Sequence, residues 1–312
     1  MIRQQPLVSI VIPLYNKADF ILKTLSSAAC QIDVSFEIVV VDDGSTDVSA
    51  RLVKLARVAR LRLIEQSNAG VSAARNRGIA VAEGKWIALL DADDLWSRDH
   101  LAGLLRAVEG SEAIVAFSNL RLQSLAGRPL IDPTVAAQHV DDYFSFALRN
   151  GGYPISSSSV MVLRDQLLAA GLFAEGVSSG EDIDMWCRLA YRGRFAYSGR
   201  ISATYNDARS PTLRAGDARI VPPLFAQRLP GLIRDCKLDP ALVGSSRRYA
   251  NYLMLEYARQ LLDSGHHAEA RRVLLKDCIP RYDLERFLKR LARTSFAGRA
   301  LFPLVRAGLR QN

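Results

Sequence analysis

The chain has 312 residues, of which 49% are hydrophobic and 23% charged. That length exceeds what a single core comfortably organises, and the composition excludes a disordered, fibrous or collagen-like chain. The net charge of +9 is lopsided: residues 1–209 carry 22 Lys/Arg against 23 Asp/Glu, and residues 210–312 carry 19 against 9.

A basic C-terminal third implies either an anionic partner, such as a membrane surface or nucleic acid, or a solvated helical face. The cysteines, Cys30, Cys187, Cys236 and Cys278, are far apart and form no CxxC pair. A zinc site and a disulfide framework are therefore not expected, and a reducing compartment is. The N-terminal stretch lacks a secretory layout. No run of about 18 apolar residues occurs, so no spanning helix is expected.

In chain order, Leu7–Ile12 is a buried strand closed by Pro13, followed by a helix over Lys17–Cys30. Phe36–Val41 is a second buried strand, closed by "DDGSTD", with Ser45 or Thr46 capping a helix that reaches about Ala59. Leu61–Ile64 is a third strand. "NAGVSAARNRGIAVAEG" is a small-residue helix ending at Gly84, and Lys85–Leu90 is a fourth strand. A helix is expected from Ser97 to about Glu109, then strands over Ala113–Phe117 and Ser156–Leu163. A helix over 180–193 and strand structure over Phe195–Tyr205 follow. Beyond about Ser210 the strand signal stops, and 249–277 reads as two amphipathic helices turning near Gly265. The domains expected are residues 1–209 and a helical, basic region over 210–312.

Strands alternating with helices imply an α/β fold with a doubly wound, mostly parallel sheet. Near-continuous apolar strands fit burial on both faces. Ligands of such sheets sit beyond the carboxyl ends of the strands. Three polar clusters fall there: "PLYN" (13–16), "DDGSTD" (42–47) and "DADD" (91–94).

Each cluster has a chemical and a structural reading. Asp91 and Asp93, two residues apart, point the same way in an extended segment and converge tolerably if a cation lies between them. An oxygen-only site that also holds phosphate suits Mg²⁺ or Mn²⁺. The structural alternative is that Asp93 and Asp94 cap a helix beginning near Leu95. Asp42 and Asp43 either make a capped turn or accept an N–H from a nucleobase edge. Tyr15 and Asn16 are placed to stack on and hydrogen-bond that base. Glu181, Asp182 and Asp184 either suit the dipole of a helix start or present a general base. No P-loop and no GxGxxG is present.

Together the segments "VSIVIPLYNKADFI" (8–21), "VVVDDGSTD" (39–47), "NAGVSAARNRGI" (68–79), "GKWIALLDADDLW" (84–96) and "GLFAEGVSSGEDIDMWCRLAYRG" (171–193) resemble the family 2 glycosyltransferases of GT-A fold. The resemblance covers about residues 6–205. It implies inverting transfer of a sugar from a nucleotide-sugar, usually UDP-linked, with Mn²⁺ or Mg²⁺. In those terms Pro13 and Tyr15 line the nucleoside pocket, Asp43 binds the base, and Arg75 lies near the nucleotide. Asp91, Ala92 and Asp93 match the D-x-D motif around metal and diphosphate, with Asp91 and Asp93 as ligands. Asp182 matches the general base, supported by Glu181 and Asp184.

Two departures matter. The Q-x-x-R-W signature of processive synthases is absent, so addition of one sugar is expected. Many relatives carry a His after the late strand as a third metal ligand; here "TYNDARSPT" (204–212) offers only Asn206 or Asp207.

The acceptor expected is a saccharide or lipid-linked saccharide in bacterial surface polysaccharide synthesis. The basic, apolar stretch 284–310 suggests a cytoplasmic protein attached peripherally to the inner face of the membrane. Nucleic acid is not expected, since the tail shows no recognition motif. The rival readings are a nucleotidyltransferase that forms nucleotide-sugars and an inactive nucleotide-sugar-binding scaffold. The first lacks its Gly-rich, basic N-terminal signature.

Overall fold

A computed structural model describes residues 5–123, 127–206, 220–235 and 239–294. The chain divides into two compact units, Met1–Asp217 and Ala218–Asn312.

The first unit opens with β1 (Val8–Leu14), α1 (Ile21–Ala29), β2 (Phe36–Asp42), α2 (Ser49–Leu55), β3 (Leu61–Glu65), α3 (Val71–Val81) and β4 (Trp86–Leu89). These strands pair in parallel in the order β3-β2-β1-β4. β1 and β2 are buried at nearly every position, as their unbroken Val/Ile runs require. α3 lies close on the sheet because Gly78 faces it: a Cβ there would sit 2.4 Å from Val11 Cγ1. Pro13 is tolerated inside a central strand because β4 pairs β1 only from Val8 to Val11.

The sheet continues with β5 (Leu95–Trp96), α4 (His100–Val108), β6 (Val115–Leu122), β7 (Arg128–Pro129), β8 (Gln138–Val140), α5 (Tyr143–Arg149), β9 (Val160–Leu163), α6 (Arg164–Ala169), α7 (Glu181–Ala190) and β10 (Phe195–Tyr205). Here the parallel expectation gives way to a mixed pattern. β9 runs antiparallel to both β4 and β6. β10 runs parallel to β6 and antiparallel to β5 and β8. The helix expected from Ser97 begins instead at His100, and Leu95–Trp96 pairs with Ala203 and Thr204 of β10. The helix expected from Ser45 or Thr46 begins at Ser49; the N–H groups of Thr46 and Asp47 before it donate to Asn16 Oδ1 (2.8 and 3.3 Å).

The second unit contains α8 (Leu224–Arg234), α9 (Pro240–Asp263), α10 (His267–Asp277) and α11 (Leu284–Ala292). Leu255, Ala258, Leu261 and Leu262 of α9 pack against Ala270, Val273 and Leu274 of α10 and Phe287 of α11. The cations of α11 and of Arg293, which follows it, are paired within the unit: Arg286 with Asp283, Lys289 with Glu285, Arg290 with Glu256 and Arg293 with Asp263. Among the described residues no helix is long and apolar enough to cross a membrane. Cys30, Cys187 and Cys278 are free thiols.

Candidate active site

β4 delivers the "DADD" turn, which closes with the Asp94 N–H donating to Asp91 O (3.0 Å). Burial alternates along it: Asp91 and Asp93 are partly exposed, while Ala92 and Asp94 are buried. From below, the Thr24 hydroxyl reaches the carbonyls of Ala92 and Asp94, 3.0 Å from each. Ser158 Oγ accepts the Asp91 N–H (3.0 Å), and Ser158 O accepts Trp96 Nε1–H (2.6 Å). The turn is thus fixed from both sides, with two carboxylates outward.

Asp94 is not a helix cap. Fully buried, it accepts the Asn206 N–H (2.8 Å) at the end of β10. Burial, then the charge of Asp91, pushes its carboxyl up to about 8. Asn206 therefore meets the carboxylate turn through its backbone. Asp207 lies outside the described residues.

The two outward carboxylates already have cations. Asp91 Oδ1 receives Arg75 Nη2 (2.9 Å), and Asp93 Oδ2 receives the Lys17 ammonium. Arg75 also donates through Nη1 to Glu181 Oε1 (2.9 Å) and lies over the Phe173 ring, 5.4 Å from its centroid. Burial alone would lower the Arg75 pKa. Asp91 and Glu181 outweigh that and raise it, so the guanidinium stays charged. Arg75 thus links the D-x-D turn to the first turn of α7.

Asp182 follows Glu181 in that turn, partly accessible to solvent. Burial by its surroundings and the charge of Glu181 push its carboxyl up to about 6, against the opposing pull of Arg75. A carboxylate poised there can accept a proton near neutral pH. Asp184 turns into the protein and accepts Arg188 Nε (2.8 Å); Arg188 in turn donates to Leu172 O (2.7 Å) and Ala170 O. That is a brace beneath α7.

At the neighbouring strand ends, Tyr15 is 39% exposed, enough to offer its ring. Asn16, at φ 51°, spends Oδ1 on the 46–47 backbone, and its own N–H donates to Ser45 Oγ (3.0 Å). Its side chain therefore shapes the loop. Asp43 accepts from Gln66 Nε2 (2.8 Å), Ala69 N (2.9 Å) and Gly70 N (2.8 Å), and so anchors the loop that leads into α3. Gly44, at φ +74°, lets β2 turn against that loop; a Cβ would meet Asn68 N at 2.9 Å. Asp42 Oδ2 accepts the Ser45 N–H (3.2 Å), while its buried Oδ1 has no hydrogen-bond partner. Pro13 is buried in β1.

Among the described residues no three His, Cys, Asp or Glu side chains gather into a metal-ligand set. The Asp91/Asp93 pair nonetheless fits Mg²⁺ or Mn²⁺. Both would offer carboxylate oxygens with some solvent access, and such ions commonly take one or two carboxylates and complete their shell with phosphate and water. The residues that sequence alone did not place in this site are Lys17, Ser158 and Gln66. Lys17 and Asp93 are 76 residues apart, and no local spacing signals such a pair.

The mixed sheet with its strand-end carboxylates is the GT-A type of α/β fold. Staphylococcus aureus TarS (residues 1–349), solved in complex with UDP-GlcNAc, superposes with a TM-score of 0.74 at 18% identity, covering 96% of this chain and 92% of its own. The mannosyltransferase PcManGT of Pyrobaculum calidifontis, solved with GDP-Man and Mn²⁺, does so at a TM-score of 0.58 and 21% identity, over 96% and 88%.

The sequence profile of glycosyl transferase family 2 matches residues 9–153, stopping short of Glu181 and Asp182. Bacillus subtilis TuaG, named as a candidate teichuronic acid biosynthesis glycosyltransferase, is 30% identical over 201 residues, covering 63% of this chain and 77% of TuaG. The chain belongs to glycosyl transferase family 2. The succinoglycan biosynthesis protein ExoO of Rhizobium meliloti is 42% identical over 126 residues, 40% of this chain and 36% of ExoO. An uncharacterized glycosyltransferase of Rickettsia felis is 32% identical over 184 residues, 59% of this chain and 30% of its own. The chain spans about a third of the length of these last two relatives.

Proposed function

We propose that the first unit transfers a single sugar, with inversion, from a nucleotide-sugar to a saccharide or lipid-linked saccharide hydroxyl. The observation that carries this reading is Arg75, which holds Asp91 of the D-x-D turn and Glu181, beside Asp182, on one guanidinium. A diphosphate site and a proton acceptor are thereby neighbours, as one in-line displacement requires.

Asp182 takes the proton of the acceptor hydroxyl as its oxygen attacks the anomeric carbon. Asp91 and Asp93 would hold the divalent ion, which when bound offsets charge on the leaving diphosphate. Pro13, Tyr15, Asp42 and Asp43 border the nucleoside. Of these only Tyr15 is well exposed; Asp42 and Asp43 lie buried beside it, with Asp42 Oδ1 lacking a hydrogen-bond partner. UDP as the nucleotide rests on the resemblance and on TarS, which binds UDP-GlcNAc. A surface-polysaccharide setting rests on the names of ExoO and TuaG. Peripheral membrane attachment through 284–310 draws on the exposed Leu284 and Leu288, while the paired cations of α11 weaken it.

The test is a panel of nucleotide-sugars with Mn²⁺ or Mg²⁺, assayed for binding, hydrolysis and transfer. Binding and turnover of one donor is expected. No binding of any donor would sink the proposal, and full transfer by Asp182→Asn would remove Asp182 as the base.

A further inference from the structure

Lys17 has a role in none of the readings above. Its backbone belongs to the nucleoside side of the site. The Lys17 N–H donates to Ser49 Oγ (2.9 Å), and its neighbours are clamped by Ser45 and Asp47. Its side chain crosses to the diphosphate side and ends on Asp93 Oδ2. The two side chains are only 15% and 17% exposed, so the pair is poorly screened by water.

Each outward carboxylate of the turn meets a cation: Asp91 meets Arg75, and Asp93 meets Lys17. Arg75 is also tied to Glu181, which fixes it in place. A divalent ion that takes Asp93 must therefore contend with the ammonium already there, because two cations on one carboxylate repel. The donor brings the remedy, since its diphosphate is a new anionic partner within reach of a long, flexible lysine side chain.

We propose that Lys17 is a resident counter-ion of the carboxylate turn: it occupies Asp93 in the empty enzyme and exchanges onto the diphosphate when metal and donor arrive. The exchange rests on the nucleotide-sugar and metal reading above. It adds a consequence which that reading lacks. Metal alone binds weakly, metal and nucleotide bind with mutual assistance, and Lys17 is the source of the coupling.

The test measures Mn²⁺ binding to the full chain by loss of the free-ion electron paramagnetic resonance signal, with and without UDP. The proteins are wild type, Lys17→Met, Lys17→Gln and Asp93→Asn. Circular dichroism reports folding, and the glutamine variant serves if the methionine variant does not fold. Removing the resident cation should tighten binding of Mn²⁺ alone by roughly fivefold, the size of one partly screened ion pair. UDP should then improve Mn²⁺ affinity less than it does in wild type. Equal or weaker Mn²⁺ binding by the Lys17 variants, with binding still dependent on Asp93, overturns the proposal and leaves the metal reading intact. Absence of Mn²⁺ binding in every protein, with UDP present, overturns the metal reading and the exchange with it.

Discussion

Arg75→Met removes one cation from between carboxylates that the fold cannot move apart. The Arg75 side chain is 5% exposed, Glu181 13% and Asp91 26%, and each contact is 2.9 Å. At a charge separation of about 4 Å and an effective dielectric of about 20, each pair is worth about 4 kcal/mol before desolvation is counted. Desolvation cancels much of that. Stranding partly buried carboxylates without their partner costs about 3–5 kcal/mol, and water reaching Asp91 places this variant near 3 kcal/mol. Urea denaturation near neutral pH reads that loss.

The same substitution has a second, kinetic signature. If Asp182 is the base proposed above, it acts only when ionised, and its carboxyl is pushed up to about 6. Wild-type kcat/KM should therefore fall about tenfold per pH unit below that value. Arg75 pulls the Asp182 carboxyl downward, so its removal must move the acid limb to higher pH. A stability loss under about 1 kcal/mol, the scale of an exposed pair, refutes the electrostatic account. So does an acid limb that stays in place.

Asp43→Ala leaves the Ala69 and Gly70 N–H groups and the Gln66 amide without their acceptor. A loss of about 2–3 kcal/mol is expected, with faster hydrogen exchange at those amides; unchanged exchange would refute the anchoring role. If residues 284–312 attach the protein to membranes, anionic liposomes should float the full chain and not the truncated one. Equal, weak flotation of both removes that reading.

Much of the fold is written locally. β1 and β2 are apolar runs that need no partner to be read, although both strands run one or two residues past the expected stops, through Pro13 to Leu14 and through Val41 to Asp42. The reversal of β9 could not be read, because Ser156–Leu163 has the same composition in either direction. The outward pair Asp91 and Asp93 is expected from alternation in an extended segment, but it stands on a turn closed by the Asp94 N–H on Asp91 O. The partner of Asp94 was not legible, since the Asn206 N–H lies 112 residues away. Asn16 read as a base contact because a polar side chain at a strand end looks free in one dimension; in three, its oxygen closes the next loop. Arg75 was legible as a site residue, but its bridge spans 16 residues one way and 106 the other.

That spread has a bearing on synthesis. The parallel half-sheet is complete once Leu89 is made, since β1 to β4 and their helices form one contiguous stretch. The fastenings of the carboxylate turn come much later: Ser158, then Glu181 through Arg75, then Asn206. A nascent chain emerging N-terminus first can therefore build this half-sheet well before the carboxylate turn has its fastenings. Truncated products ending before residue 206 would lack the last of those fastenings, the Asn206 N–H on Asp94.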